Sequence, residues 1–358
     1  MADWKTRAHI SGDVVFFKYS EAEIEKTFEE VFVWDLDKTY LDTHFGTIKE
    51  VWRTAVEKAF QKQNIPGTAS LVRAIKEYWV EERGRSAFPI FFITASPPQM
   101  ENKIREKLEI DTILPLGGYY KDNLKNLKPG RLSRLTQQVG FKLQALLQLR
   151  LKLRDDVRQI LWGDDSESDA TIYSLYSDIC ARRWSEKDLL NILRGLNVVG
   201  SQSETILDLQ DQIAPGDPVE KIYINLATDT DSEYYLKFGR RTIPSTNSFQ
   251  TALDLFQDHR LKTEQVIHVA QDMLMNYGFT QDELQSSLDN LVRRRILSDE
   301  TISRILPALQ EQKLFPSDFA TTIEPAKVID RVGNRVYGLD GVTEPWVPAH
   351  IDYLHDFR

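Results

Sequence analysis

The chain holds one cysteine, Cys180, in 358 residues, so no disulfide can close within it. A lone thiol suits a reducing compartment, and Cys180 lies in an apolar helical pattern that reads as core. Histidine is scarce as well. Its six residues include no H-x-x-H pair, and with no C-x-x-C either, a zinc centre is not expected. No apolar run approaches the roughly 20 residues of a membrane-spanning helix. The opening Met1, Ala2, Asp3, Trp4 and Lys5 carry no apolar signal core. Positive charge is not in excess either. Lys and Arg number 45 against 54 Asp and Glu, a formal net charge of −9, so the chain as a whole has no drive toward nucleic acid or an anionic membrane. Repeats and low-complexity tracts are absent. These absences lead us to expect a cytosolic protein, with its oligomeric state left open.

What remains is ordinary in bulk. Hydrophobic content of 41% and charged content of 28% fit a soluble globular protein, and the length suits one large domain with a smaller one, or two domains.

The informative features are four short segments. The first is Val31-Phe-Val-Trp-Asp35-Leu-Asp37-Lys-Thr39, an apolar strand-like run that ends in two acids spaced i, i+2. In a strand, Asp35 and Asp37 point the same way, and two adjacent carboxylates repel unless a cation or a shared proton relieves them. An acid pair at a strand end is a candidate Mg²⁺ site, a nucleophile with its acid or base, or both. An Asx-type turn would use the same residues.

The second, Phe88 to Pro97, is another apolar run, ending in the hydroxyls of Thr94 and Ser96 ahead of a helical pattern. Hydroxyls and backbone N–H groups at a strand-to-helix turn can hold phosphate oxygens or simply cap the helix. The third is Lys142, expected to open a helix running to about Arg154, and able to offset the acids and bind a phosphoryl group. Lys128, in a Lys-Pro-Gly, lies further upstream in a stretch that reads as loop. The fourth, Val157 to Ala170, ends a strand in Gly163-Asp164-Asp165 and adds Asp169 before a helix. Gly163 permits a tight turn, and such acids can complete an octahedral Mg²⁺ shell with water and phosphate. They also suit an acidic helix start.

Each segment falls at the C-terminal end of an expected strand, where open parallel α/β sheets bind ligands. The set resembles the haloacid dehalogenase superfamily, whose signature D-x-D-x-[TV], Ser/Thr, Lys and G-D-x(3–4)-D or D-D match Asp35, Asp37, Thr39, Thr94, Lys142, Asp164 and Asp169 over about residues 27–245. The resemblance implies an α/β Rossmannoid parallel sheet with helices on both faces, a small or absent cap, and an α-helical C-terminal appendage. It also implies a Mg²⁺-dependent phosphohydrolase acting on a phosphomonoester. In that scheme Asp35 is the nucleophile forming an aspartyl-phosphate, and Asp37 is acid then base, with its carbonyl on the metal. Thr94 and Lys142 bind the phosphoryl oxygens, supported by Thr39 and Ser96. Asp164 ligates Mg²⁺, and Asp165 and Asp169 stand behind it, Asp169 orienting a water or Lys142.

Residues 163–173 also resemble the G-D-S-x-x-x-D-x-x-I-Y stretch of the phosphatidate-phosphatase-type catalytic domain, as does the strand beginning at Lys221. Two positions depart from it. Asp37-Lys38 replaces an Asp-Asp pair, and Thr94-Ala-Ser96-Pro97 only loosely follows Ser-Asn-Ser-Pro. A lipid phosphate is therefore one candidate substrate beside an unspecified phosphomonoester. Nine cations against one acid across residues 121–154 suggest a basic rim or a solvated face. As a rim they would suit a nucleic-acid end-processing phosphatase, an alternative with salt-sensitive binding. The non-enzyme alternative is an interaction protein whose acid site is retired.

The expected division is a phosphatase core over residues 1–260 and a helical region with an extended tail over 261–358. The core carries a helical insert at about 47–85, broken at Ile65-Pro66-Gly67, and a basic insert at about 117–140. Gly117-Gly118-Tyr119-Tyr120 reads as a loop near the site. Residues 198–218 read as loop or insertion, and residues 173–196 as one helix.

Overall fold

The computed structural model describes residues 4–20, 28–42, 64–84, 87–122, 131–166, 168–227, 229–325 and 345–355. The chain divides into two compact units. The first comprises Met1–Gln63, Ala87–Ile224 and His350–Arg358; the second, Asn64–Ser86 and Asn225–Ala349.

The first unit is α/β. Its strands are β1 (Ala8–Ser11), β2 (Val14–Lys18), β3 (Glu30–Asp35), β4 (Ile90–Thr94), β5 (Gly117–Lys121), β6 (Arg158–Asp164) and β7 (Val219–Asn225), lying in the order β1-β2-β5-β4-β3-β6-β7. β3 pairs in parallel with both β4 and β6, and β4 pairs in parallel with β5. The β1–β2 hairpin adds antiparallel strands at the β5 edge. Burial along the whole of β3 and β4 explains why both read as unbroken apolar runs rather than alternating ones. Trp34 projects from the face opposite Asp35 and stacks on Trp162 at 4.5 Å, which stacks on Tyr223 at 4.9 Å. This aromatic column joins β3, β6 and β7 on that face, with ring geometry suited to offset stacking.

Register then fixes the site. Asp35 lies opposite Ile93 of β4, and Trp34 opposite Trp162 of β6, so Asp35, Thr94 and Asp164 come out together at the C-terminal ends of three adjacent parallel strands.

Three local expectations are corrected. Gly117–Lys121 is a strand rather than a loop, held between β2 and β4. A Cβ on Gly117 would strike the Phe16 ring and the Phe17 carbonyl, so the glycines admit aromatic neighbours instead of breaking the strand. The stretch expected as one helix over 173–196 is two, Asp169–Cys180 and Glu186–Gly195, separated by Arg182 at φ 57°. Residues 198–218 contain the helix Gly200–Gln212.

In the second unit, α1 (Thr68–Arg83) packs with helices from the C-terminal third of the chain. Counting along the chain, α2 is Glu101–Ile110, α3 Arg131–Arg150, α4 Asp169–Cys180, α5 Glu186–Gly195 and α6 Gly200–Gln212. Then follow α7 (Ser248–Gln257), α8 (Thr263–Asn276), α9 (Gln281–Arg293) and α10 (Asp299–Glu311), with the short β8 (Thr242–Ser245). The three helices expected after residue 261 are present as α8 to α10. The boundary, however, falls after Ile224 rather than at residue 260, and residues 64–86 of the helical insert belong with the later helices. Gly67 at φ 76° abuts Ser248 and Met273, Ser70 Oγ donates to Asp272 at 2.5 Å, and Lys262 pairs with Glu81 and Glu82. The apolar face of α1 (Leu71, Val72, Ile75, Trp79) is buried. The earlier part of the insert lies outside the described residues.

Candidate active site

Asp35, Asp164 and Asp169 converge so that one carboxylate oxygen from each lies within 4.8 Å of the others. Their side chains and that of Lys142 are all at most 2% exposed. Lys142 Nζ stands 2.8 Å from Asp35 Oδ1 and 2.5 Å from Asp169 Oδ1. The second oxygen of Asp169 accepts the Asp164 backbone N–H at 3.1 Å. Asp164 Oδ1 accepts the Ser166 N–H at 2.5 Å, and Thr39 Oγ1 donates to Asp35 Oδ2 at 3.4 Å.

Each placement has a local cause. Asp35 is the last residue of β3, and Asp164 the last of β6. Asp169 opens α4, where a carboxylate suits the positive end of the helix. Gly163 is required by proximity, because a Cβ there would run into the Asp169 side chain. Lys142 lies well inside α3 rather than at a helix opening, because α3 starts at Arg131 and runs straight through Gly140. A Cβ on Gly140 would meet Gln202 and Val198, so that glycine serves helix packing and not termination. One turn beyond Asp169, Tyr173 donates to the Trp162 carbonyl at 2.9 Å. Burial, then the Asp169 charge, pushes its hydroxyl well above the usual tyrosine range, so it stays a neutral donor.

Asp37 faces elsewhere. Half-buried, it accepts from Thr94 Oγ1 at 2.8 Å and from Ser96 Oγ at 3.3 Å, while Thr94 Oγ1 also accepts the Ser96 N–H at 3.0 Å. The two hydroxyls thus hold the second acid in this structure. Its carboxylate is not part of the three-acid cluster; Asp169 is, and half-buried Asp165 is not. Two further residues enter that the motif reading gave no role: Lys38 Nζ donates to Ser166 Oγ at 2.9 Å, tying the loop after β3 to the loop after β6.

Three buried carboxylates against one ammonium leave a formal charge of −2 in a low-dielectric setting. An uncompensated buried charge is costly, and all-oxygen donors of this kind fit a hard dication. The donor set therefore suits a divalent cation.

The described cations of the basic stretch are engaged within the fold. Lys121 is buried and Lys142 belongs to the site. Arg150 donates to the carbonyls of Arg154, Asp155 and Val157, Lys152 lies over the Phe16 ring, and Arg154 pairs with Asp156. Lys125 and Lys128 lie outside the described residues, and nothing is described of the Arg131 and Arg134 side chains.

Residues 31–183 match the family described as phosphatidate phosphatase APP1, catalytic domain. No curated protein and no solved structure matches the chain. The matched stretch runs from β3 past the end of α4 and so contains every acid of the site, together with Thr94 and Lys142. The chain is a phosphatase, a hydrolase acting on phosphoric ester bonds.

Proposed function

We propose that this phosphatase is a Mg²⁺-dependent lipid phosphomonoesterase of the phosphatidate type, working through an aspartyl-phosphate on Asp35 in a haloacid-dehalogenase-like site. The supporting observation is that the phosphatidate-phosphatase match spans the strands and helices that carry the three-acid cluster and its lysine. The substrate is then a lipid phosphate in preference to an unspecified phosphomonoester. Asp35, Asp164 and Asp169 would hold the cation, which offsets their charge and polarises the phosphoryl group.

An Asp35 carboxylate oxygen attacks phosphorus while the bond to the alcohol oxygen breaks. Asp37, in its protonated form, gives that oxygen a proton, so the alcohol leaves neutral. As a carboxylate, Asp37 then takes a proton from the water whose oxygen attacks phosphorus. The Asp35–phosphorus bond breaks, releasing inorganic phosphate and restoring both acids. Lys142, fixed on Asp35, draws the negative charge that develops on the phosphoryl oxygens. Thr94 and Ser96 hydrogen-bond the Asp37 carboxylate in the resting site.

The test is phosphate release from phosphatidate vesicles and from an aryl phosphate, with Mg²⁺ and with chelator. Mg²⁺-dependent release from phosphatidate that vanishes in Asp35→Asn is expected. Turnover of the aryl phosphate without phosphatidate would return the substrate to an unspecified phosphomonoester. The nucleic-acid alternative has less support than its sequence suggested, because the described cations of residues 121–154 are engaged by the fold.

A further inference from the structure

Among the described residues, eight other than glycine have positive φ. Six of them (Thr112, Arg182, Asn197, His259, Arg295 and Lys313) lie two positions past the last residue of a helix. There a left-handed residue is an ordinary way to end the helix. The other two sit in the active-site loops: Lys38 at φ 60°, between Asp37 and Thr39, and Ser168 at φ 63°, just before Asp169. Among the described residues other than glycine, left-handed backbone that does not end a helix therefore occurs only in the loops that carry the acids, Ser168 at the start of α4 included.

The turn after β3 demands this at Lys38. The Lys38 N–H donates to the Leu41 carbonyl at 2.8 Å, and the N–H groups of Tyr40 and Leu41 donate to the Leu36 carbonyl at 3.1 and 2.8 Å. Glycine would adopt that conformation without strain, whereas a side chain there is held against its own steric preference. Strain retained at a site points to a use for the side chain that causes it. The use is visible in the Lys38 Nζ to Ser166 Oγ bond at 2.9 Å, since the Ser166 N–H in turn donates to Asp164 Oδ1 at 2.5 Å. A short path thus runs from Asp37 through Lys38 and Ser166 to Asp164.

We propose that Lys38 is a positioning residue: its ammonium, bonded to Ser166, holds the loop of the acid–base Asp37 in register with the cation-binding loop of Asp164, at the expense of backbone strain. Supporting groups of this kind set metal affinity and activity by factors of about 10–100. The catalytic arm of the test rests on the phosphatase reading above; the cation-binding arm does not.

The full chain is made as Lys38→Gly, Lys38→Met, Lys38→Arg, Ser166→Ala and the Lys38→Met/Ser166→Ala double variant. Lys313→Gly serves as a control, relieving a lysine of similar φ at the end of α10. Melting is followed in chelator and across a titration with Mg²⁺ alone, alongside phosphate release. In chelator both glycine variants should melt about 1–4 °C higher. Lys38→Gly and Lys38→Met should need about 10–100-fold more Mg²⁺ for half-saturation, with kcat reduced more than KM. Lys313→Gly should leave Mg²⁺ half-saturation and turnover at wild-type values. Lys38→Arg should restore most of the Mg²⁺ response. Ser166→Ala should match Lys38→Met, and the double variant should be no worse than either. Wild-type Mg²⁺ half-saturation in Lys38→Gly, or additive losses in the double variant, would overturn the proposal. A wild-type chain that binds Mg²⁺ but hydrolyses no phosphate ester would sink the phosphatase reading while the Mg²⁺ titration still decides the bridge. A wild type with no Mg²⁺ response would overturn both.

Discussion

Lys142 Nζ stands 2.8 Å from Oδ1 of Asp35, and neither side chain reaches solvent. Around this pair lie Asp164 and Asp169, so the lysine stands within a cluster of three buried acids. The cluster is electrostatically unbalanced, and that imbalance makes the direction of each substitution predictable.

Removing the cation should be far worse for stability than removing one acid. Lys142→Met leaves three buried carboxylates facing one another, and breaking a buried pair in this way costs about 3–5 kcal/mol. Asp35→Asn reduces the excess negative charge, so in chelator it should unfold at a urea concentration equal to or above that of the wild type. Phosphatase turnover should be lost in both. Urea denaturation in chelator checks the contrast, and an Asp35→Asn protein as unstable as Lys142→Met would contradict it.

Gly163 is the residue on which the Asp169 side chain rests, without a positive φ to explain the glycine. Gly163→Ala should displace Asp169 and, through it, Lys142. We expect a loss of about 1–3 kcal/mol from overpacking. A fall in turnover of about 10–100-fold should accompany it, as for other disturbed metal-site neighbours. Thermal melting and phosphate release read the two effects separately.

Lys152 gives a pH signature remote from the acids. Half-buried over the Phe16 ring, its ammonium is pushed by burial from 10.5 down to about 8. The folded pKa lies below the unfolded one, so between about pH 8 and 10.5 the unfolded chain binds the extra proton and stability from this group rises with pH. Below about pH 8 the penalty is fully present. Lys152→Met should therefore stabilise the protein at pH 7, with the gain fading by about pH 10.5. Chemical denaturation at several pH values tests this; an advantage for methionine that is independent of pH would contradict it.

Tyr353 ties the described C-terminal residues to α4. Tyr353 donates to Asp178 Oδ2 at 2.7 Å, and Asp178 also takes bonds from Arg183 at 2.5 Å and Trp184 at 3.2 Å. Tyr353→Phe removes a hydrogen bond to a buried charge, worth about 1.5–3 kcal/mol. The loss should appear in chemical denaturation, with Mg²⁺ half-saturation unchanged because the tyrosine lies outside the acid cluster.

Some parts of the fold could be read from sequence because the signal is local. β3, β4 and β6 are buried on both faces and therefore spell apolar runs, and the acids and hydroxyls that end them stand out by contrast. The helices after residue 261 carry 3.6-residue apolar spacing and capping residues, such as Thr280 and Glu283 at the start of α9. Two of the misread elements are ones where a glycine suggests a break on its own but answers to a neighbour in space. Gly117 and Gly118 lie in a strand because Phe16, Tyr19 and Tyr120 occupy the room a Cβ would need. Gly140 passes through the middle of α3 because Gln202 and Val198 come up against it.

The same division holds at the site. Residue types and strand ends pointed to Asp35, Asp37, Thr94 and Asp164 at one end of a parallel sheet, because a strand's apolar interior and polar exit are written in consecutive residues. Only the tertiary structure decided which acids join. Asp169 enters the buried cluster while the Asp37 carboxylate is held by Thr94 and Ser96, and Lys38 reaches Ser166. Those outcomes depend on the β3–β4 and β3–β6 register, the pitch of α3 and the close approach at Gly163. They are distances between segments far apart in the chain, and no run of neighbouring residues encodes them.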